Sequence, residues 1–161
     1  MMLAKKTSKL ECSVAQALDV IGDYWSMMIL RDLMIFGGTR RFDSLCEALD
    51  ISRNILTERL RTLVEEEIVR KVPIAEGARR MEYKLTRKGW GLMPIMLSIA
   101  QWCTEWNVED EDVSYYFVDS LKEKQVFVPG VTSADSRALG PGDIKIVPQT
   151  ASAKEYLLKY R

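Results

Sequence analysis

Between Ser52 and Leu85 the hydrophobic period of the chain changes, and that change restricts the fold more than any other feature. Leu56, Leu60, Leu63 and Val64 recur at i, i+4, i+7 and i+8, the spacing of one face of a helix running from Ser52 to about Glu66. Arg53, Asn54, Thr57, Arg61 and Glu65 fall on its other faces. Met81-Glu82-Tyr83-Lys84-Leu85 then alternates with period two, and Ile68 to Ile74 is rich in β-branched residues. The two runs predict an antiparallel hairpin turning at Glu76-Gly77-Ala78-Arg79, with Pro73 favouring an edge or a bulge.

Upstream, three shorter helices are expected. Ser13 to Ile21 places Val14, Ala17, Leu18 and Ile21 at helical spacing before Gly22. Tyr24 to Phe36 is strongly apolar through Trp25, Met28, Ile29, Leu33 and Phe36, and Gly37-Gly38 stops it. Arg41 to Leu49 puts Phe42, Leu45 and Leu49 on one side. Ser52 then supplies a hydroxyl to cap the fourth helix, although Ile55 rules out a full capping box. Two helices a few residues apart make a helix-turn-helix, and the hairpin that follows makes the order of a winged helix. The fold class is therefore mainly α with a small β-hairpin, an α+β winged helix-turn-helix.

A last helix is expected from about Arg87 to Asn107. Leu92, Ile95, Ile99, Trp102 and Trp106 repeat along it at 3, 4, 3, 4, while Met93, Met96, Leu97, Ala100 and Cys103 fill the remaining directions. A helix apolar all round needs cover all round. The same helix of a second chain is the simplest cover, so these five residues are expected at a homodimer interface; the plain alternative is that residues 110–161 fold back over it. Glu109-Asp110-Glu111-Asp112 marks a boundary. Beyond it lie β-like runs at Tyr115–Val118, Val126–Val128 and Ile144–Val147, and a short helix over Ala151–Tyr160. The organisation is an arm (1–11), a winged helix-turn-helix domain that includes the helix expected to dimerise (12–107) and a C-terminal extension (108–161) whose role the sequence leaves open.

Composition narrows the chemistry. There is no histidine, so a Ser-His-Asp triad, a Cys-His dyad and an imidazole metal site are excluded by inventory. Cys12, Cys46 and Cys103 form no CxxC pair, which fits reduced thiols rather than a disulfide framework. No catalytic residue, metal or cofactor is expected. The 16 uncharged residues from Gly89 to Thr104 fall short of the roughly 20 that span a bilayer, and no targeting segment is visible, so a cytoplasmic protein without membrane contact is expected. Lys+Arg and Asp+Glu balance at 23 each, yet residues 51–90 hold ten basic and six acidic side chains while residues 91–114 hold none and five. The middle third is the place to look for an anionic partner.

The residues resemble the HxlR-type winged helix-turn-helix transcriptional regulators of bacteria and archaea. The matching text is Cys12-Ser13-Val14, GDYWSMMILRDL from Gly22 to Leu33, RRF from Arg40 to Phe42, ISRNILTERLRTL from Ile51 to Leu63, MEYKLTRKG from Met81 to Gly89, and Pro94 with Trp102. The resemblance implies a dimeric, cytoplasmic prokaryotic DNA-binding regulator, not an enzyme, with terminal helices building the dimer and the fourth helix in the major groove. Two positions depart from the pattern. Glu67 stands where relatives usually carry glycine, so the helix end is expected to be shaped differently, and Tyr24 replaces a commonly basic residue before the tryptophan.

Base reading needs donors at the exposed start of a groove-lying helix, where Ser52, Arg53, Asn54 and Thr57 stand. Arg40, Arg41, Arg79 and Arg80 are candidates for phosphate contacts, which set affinity and register; Arg61 is another, with pairing to a glutamate as its alternative. A two-fold dimer implies a pseudo-palindromic site on double-stranded DNA, with half-sites about 34 Å apart or a multiple of that. Cys12 lies one residue before the first helix, where helix amides and Lys9 favour a thiolate, and relatives with a cysteine here sense oxidants or electrophiles. A small apolar effector enclosed near Trp25, Met96, Trp102 and Trp106 is compatible with this reading. The alternatives are a winged-helix protein-interaction module and a small-molecule sensor that never meets DNA.

Overall fold

The computed structural model describes residues 12–107 and 117–159. The chain divides into two compact units at Met93/Pro94.

The first unit is a winged helix. α1 (Ser13–Ile21) ends at Gly22, and α2 (Tyr24–Ile35) starts on Asp23, whose carboxylate accepts from the Ser26 amide at 3.0 Å. Gly37 and Gly38 take φ of 73° and 86° and turn the chain into β1 (Thr39–Arg41). Gly38 bonds at both ends of the turn: its amide donates to Leu33 at 2.7 Å and its carbonyl accepts from Leu85 at 2.8 Å. A Cβ at Gly38 would lie 2.6 Å from Trp90 Cζ2, so this turn needs glycine for space as well as for conformation.

α3 (Phe42–Leu49) and α4 (Arg53–Glu65) are joined by Asp50-Ile51-Ser52. Asp50 adopts a left-handed φ of 48°, tolerable for its short polar side chain, and buried Ile51 anchors the turn. Ser52 caps α4 by accepting from the Ile55 amide at 3.4 Å. The core comes from Ile29, Leu30 and Leu33 of α2, Leu45 and Leu49 of α3, and Leu56, Leu60 and Leu63 of α4. Ile68, Val69 and Leu85 close it from the sheet.

β2 (Val69–Pro73) and β3 (Met81–Leu85) pair antiparallel with Val69 opposite Leu85 and Pro73 opposite Met81. β1 adds to the other side of β3, giving the order β1-β3-β2 and leaving Pro73 on an edge strand. A strand at residues 39–41 is absent from the sequence reading, because three residues carry no periodicity.

The end of α4 corrects the expectation drawn from Glu67. The Ile68 amide donates to Leu63 at 2.9 Å and the Glu67 amide to Val64 at 3.0 Å, the two bonds of a Schellman motif. Glu67 takes φ 56° to make them. The helix end thus has the shape a glycine would give, with glutamate bearing the strain.

The final helix also departs from expectation. Residues 87–107 form α5 (Arg87–Trp90) and α6 (Met93–Asn107), separated by a turn at Gly91-Leu92. Gly91 weakens the helix, and Pro94 has no amide to donate to the preceding turn, so it suits the start of a helix rather than its interior. α6 falls in the second unit together with the extension.

In that unit the Val128 amide donates to Gln101 Oε1 at 2.9 Å. Among the described residues, the expected runs at 126–128 and 144–147 form no strand: two isolated bridges occur, Val118 with Gln125 and Thr132 with Ala138. Part of the run at Tyr115–Val118 lies outside the described residues. The terminal helix is present as α7 (Ala151–Lys159). Ile95, Ile99, Trp102 and Trp106 are 47, 49, 59 and 68% exposed, so among the described residues that face of α6 lacks full cover. Among the described residues, no helix is long and apolar enough to cross a membrane.

Candidate nucleic-acid interface

α4 buries Leu56, Leu60 and Leu63 and turns Arg53, Asn54, Thr57, Arg61 and Glu65 outward. Its first turn is therefore a polar, donor-rich edge on a helix clamped from behind. Ser52 is exposed while its hydroxyl caps the helix, and the Thr57 hydroxyl donates to the Arg53 carbonyl at 2.7 Å. Arg53 Nη1 lies 2.8 Å from Asp43 Oδ1, and its guanidinium stands 4.9 Å over the Phe42 ring. The hydrogen bond to Asp43, then that carboxylate's charge, raise the Arg53 pKa and hold it firmly charged. Both partners are exposed at 71 and 82%, so this pair orients the arginine without locking it. Arg61 reaches Glu65 at 3.8 Å, the alternative role weighed for it, and remains on the exposed face.

The wing tip is built by Gly77 at φ 73° and by the Ala78 amide donating to Ala75 at 3.0 Å. Arg79 and Arg80 are exposed there, as is Arg41 at the end of β1. Arg40 sits differently from the other candidates for the DNA backbone. Its Nε donates to Asp32 Oδ2 at 3.0 Å, its guanidinium lies 4.0 Å over Phe36, and its side chain is 19% exposed. Asp32 is among the most buried polar residues of the unit, and Arg40 neutralises it. That pairing leaves Arg40 half-buried and gives it a structural task.

Sequence reasoning missed several basic residues. Arg59 bridges α4 to the cap of α2, with Nε 3.5 Å from Asp23 Oδ1, and no periodicity signals such a pair. Arg70 stands opposite Lys84 in the sheet register, and both are exposed. Aligning the two strand runs residue by residue was the signal that could have found them. Lys71 lies 6.0 Å from the centre of the Tyr83 ring, whose phenol is pushed up in pKa by burial.

Cys12 is exposed at the N-cap of α1 and makes no side-chain capping bond; Lys9 lies outside the described residues. Cys46 packs against the core. Trp25 also packs against it, whereas Trp102 and Trp106 of the second unit are exposed. Among the described residues, no group of three Cys, Asp or Glu side chains is placed to hold a metal.

This arrangement has close counterparts. Rv3095 of Mycobacterium tuberculosis strain H37Rv, named an uncharacterized HTH-type transcriptional regulator, is 39% identical over 94 residues, 58% of each chain; the chain thus spans just over half of that relative's length. YvaP of Bacillus subtilis, likewise named an HTH-type transcriptional regulator, is 38% identical over 56% of this chain and 83% of its own. The crystal structure of PA1607, described as a candidate transcription factor, superposes with a TM-score of 0.80 at 35% identity, covering 89% of this chain and 99% of that one. The quinone-bound form of YodB from B. subtilis superposes with a TM-score of 0.51 at 29% identity over 59% of this chain and 99% of its own. The HxlR-like helix-turn-helix model matches residues 20–111, which hold all of α2 to α6 and the exposed start of α4, and the chain belongs to that family.

Proposed function

We propose that the protein is a sequence-specific DNA-binding transcriptional regulator acting as a homodimer. The observation that carries the reading is the outward edge of α4, where Ser52, Arg53, Asn54 and Thr57 stand on a helix buried behind by Leu56, Leu60 and Leu63. A helix presented in this way fits the major groove, with its first turn nearest the base edges. Arg53 offers the fork that matches guanine, and Asn54 the amide that matches adenine. Arg41, Arg61, Arg79 and Arg80 would hold the sugar-phosphate backbone on either side. The exposed stripe of Ile95, Ile99, Trp102 and Trp106 would pack against its copy in a second chain, while Leu92, grouped with them from the sequence, is half-buried against the core of the first unit. Regulators among the relatives support the same assignment.

Selecting bound fragments from a genomic library tests DNA binding directly and should return pseudo-palindromes. Arg53→Ala should relax base preference at one position in each half-site; an identical preference would remove Arg53 from base reading. A monomer by light scattering would remove the two-fold geometry. Failure to retain any duplex at moderate salt would favour a protein-interaction module.

A redox response through Cys12 is a second reading, favoured by its exposure at the start of α1 and by the quinone-bound state of YodB. Diamide or a quinone should then release DNA from the native chain but not from Cys12→Ser. Equal release from both would end this reading.

A further inference from the structure

At the base of the wing, Arg70, Leu85, Thr86, Arg87 and Trp90 line a groove of about 480 Å³. Its charge is unbalanced. The register sets Arg70 directly opposite Lys84, a like-charge cross-strand pair that costs stability, and Arg87 adds a third cation beside them. Among the described residues none of these three joins an ion pair, and Glu66, an acid of the same corner, is taken by Lys88 at 3.8 Å. Two of the walls, Thr86 and Trp90, are fixed in place. The Thr86 hydroxyl donates to the Glu67 and Ile68 carbonyls at 2.6 and 3.1 Å, so it is engaged in holding the groove together rather than free for a ligand. Gly38 backs the Trp90 indole, which is 36% exposed.

We propose that this groove binds a small aromatic carboxylate, with Arg70 and Arg87 taking the anion and Trp90 stacking on the ring. Guanidinium forks pair with carboxylates in bidentate geometry, and an indole face offers an offset stacking platform. The volume lies within the few hundred to about 1,000 Å³ usual for small-ligand pockets. A duplex backbone supplies the anion but turns no planar apolar body outward, and so leaves Trp90 unexplained. The groove also lies at the far end of α4 from Ser52, roughly 20 Å along a 13-residue helix, and at the opposite end of the hairpin from its tip.

The test is calorimetry on the full chain without DNA, so its outcome is independent of the DNA reading. 2-Naphthoate is the probe, with 2-naphthamide and inorganic phosphate as comparators. One naphthoate per chain should bind, with both comparators at least about tenfold weaker. Arg70→Ala and Arg87→Ala should each weaken naphthoate about tenfold or more without lowering thermal melting, and Arg70→Ala, which relieves the repulsion of Lys84, should melt no lower than the native chain. Trp90→Phe, which keeps a ring against Gly38, should retain most of the affinity. Equal binding of naphthoate and naphthamide, no naphthoate heat at millimolar concentration, or full naphthoate binding by Arg70→Ala would each overturn the proposal. So would arginine variants that lower DNA affinity and salt slope while leaving naphthoate binding intact, since the groove would then be a phosphate contact.

Discussion

Replacing Arg40 by methionine separates a structural task from a DNA-binding one. Asp32 has a side chain only 5% exposed and accepts from Arg40 at 3.0 Å, while Arg31 stands 4.0 Å away on its other oxygen. Removing one partner of a buried pair costs about 3–5 kcal/mol, because the remaining charge stays desolvated. Arg40 is 19% exposed and Arg31 remains nearby, so the lower end, about 3 kcal/mol, is expected. Methionine keeps an apolar stem near the Phe36 ring, so the loss of packing is small. With a urea m value of about 2 kcal/mol/M, the midpoint should fall by about 1.5 M. Asp32→Leu combined with Arg40→Met removes both charges and should return to within about 1 kcal/mol of the native protein. The salt slope of DNA binding by the folded single variant should be unchanged. A midpoint shift below about 0.5 M, or a slope reduced by about 0.9, would refute this reasoning and return Arg40 to the phosphate backbone.

Three further outcomes are expected. Glu67→Gly relieves a left-handed residue at φ 56° whose strain is about 1–2 kcal/mol, offset by the greater freedom of glycine in the unfolded chain, so stability should rise by about 0.5–1 kcal/mol in urea titrations; a loss would mean that the Glu67 side chain contributes more than its backbone costs. Arg79→Ala should weaken binding to every duplex and flatten the plot of log K against log salt by about 0.9, whereas an unchanged slope would take the wing off the contact list. Burial raises the Tyr83 phenol above its ordinary value of 10.0, so its contribution to stability is complete below about pH 10 and is lost as pH rises through the folded-state value. Tyr83→Phe should therefore flatten the alkaline limb of stability against pH, and an unchanged limb would place the loss in another group.

The helix-turn-helix was legible because each of its signals is local. Leu56, Leu60 and Leu63 announce the buried face of α4, Ser52 its cap, and Gly22 and Gly37-Gly38 the two earlier stops. The outward side of α4 was readable for the same reason, since the residues left over by the buried stripe must face solvent. Tertiary decisions were not readable. Arg40 looks like any surface arginine until α2 places Asp32 beside it, and β1 exists only because β3 has an open edge for Thr39–Arg41. The break between α5 and α6 was written as Gly91 and Pro94, but the apolar residues on both sides mask it by keeping a helical period across the turn. In the extension, hydrophobic runs such as Ile144–Val147 carry strand propensity with no neighbour to pair with, and propensity alone does not make a ladder.

The order β1-β3-β2 leaves β2 with a free row of backbone donors and acceptors, a template on which a strand from another molecule can grow. This edge is defended by its own side chains. Pro73 withholds a donor at one end, and Arg70 and Lys71 make the approach of an identical strand electrostatically unfavourable. Arg70, one of the cations that leave the wing base short of negative charge, thus also guards this edge against self-association. A variant that neutralised Arg70 and Lys71 and replaced Pro73 by a residue with a backbone donor would keep the core intact and still be drawn toward edge-to-edge fibrils, so solubility sets a limit on how far this surface can change.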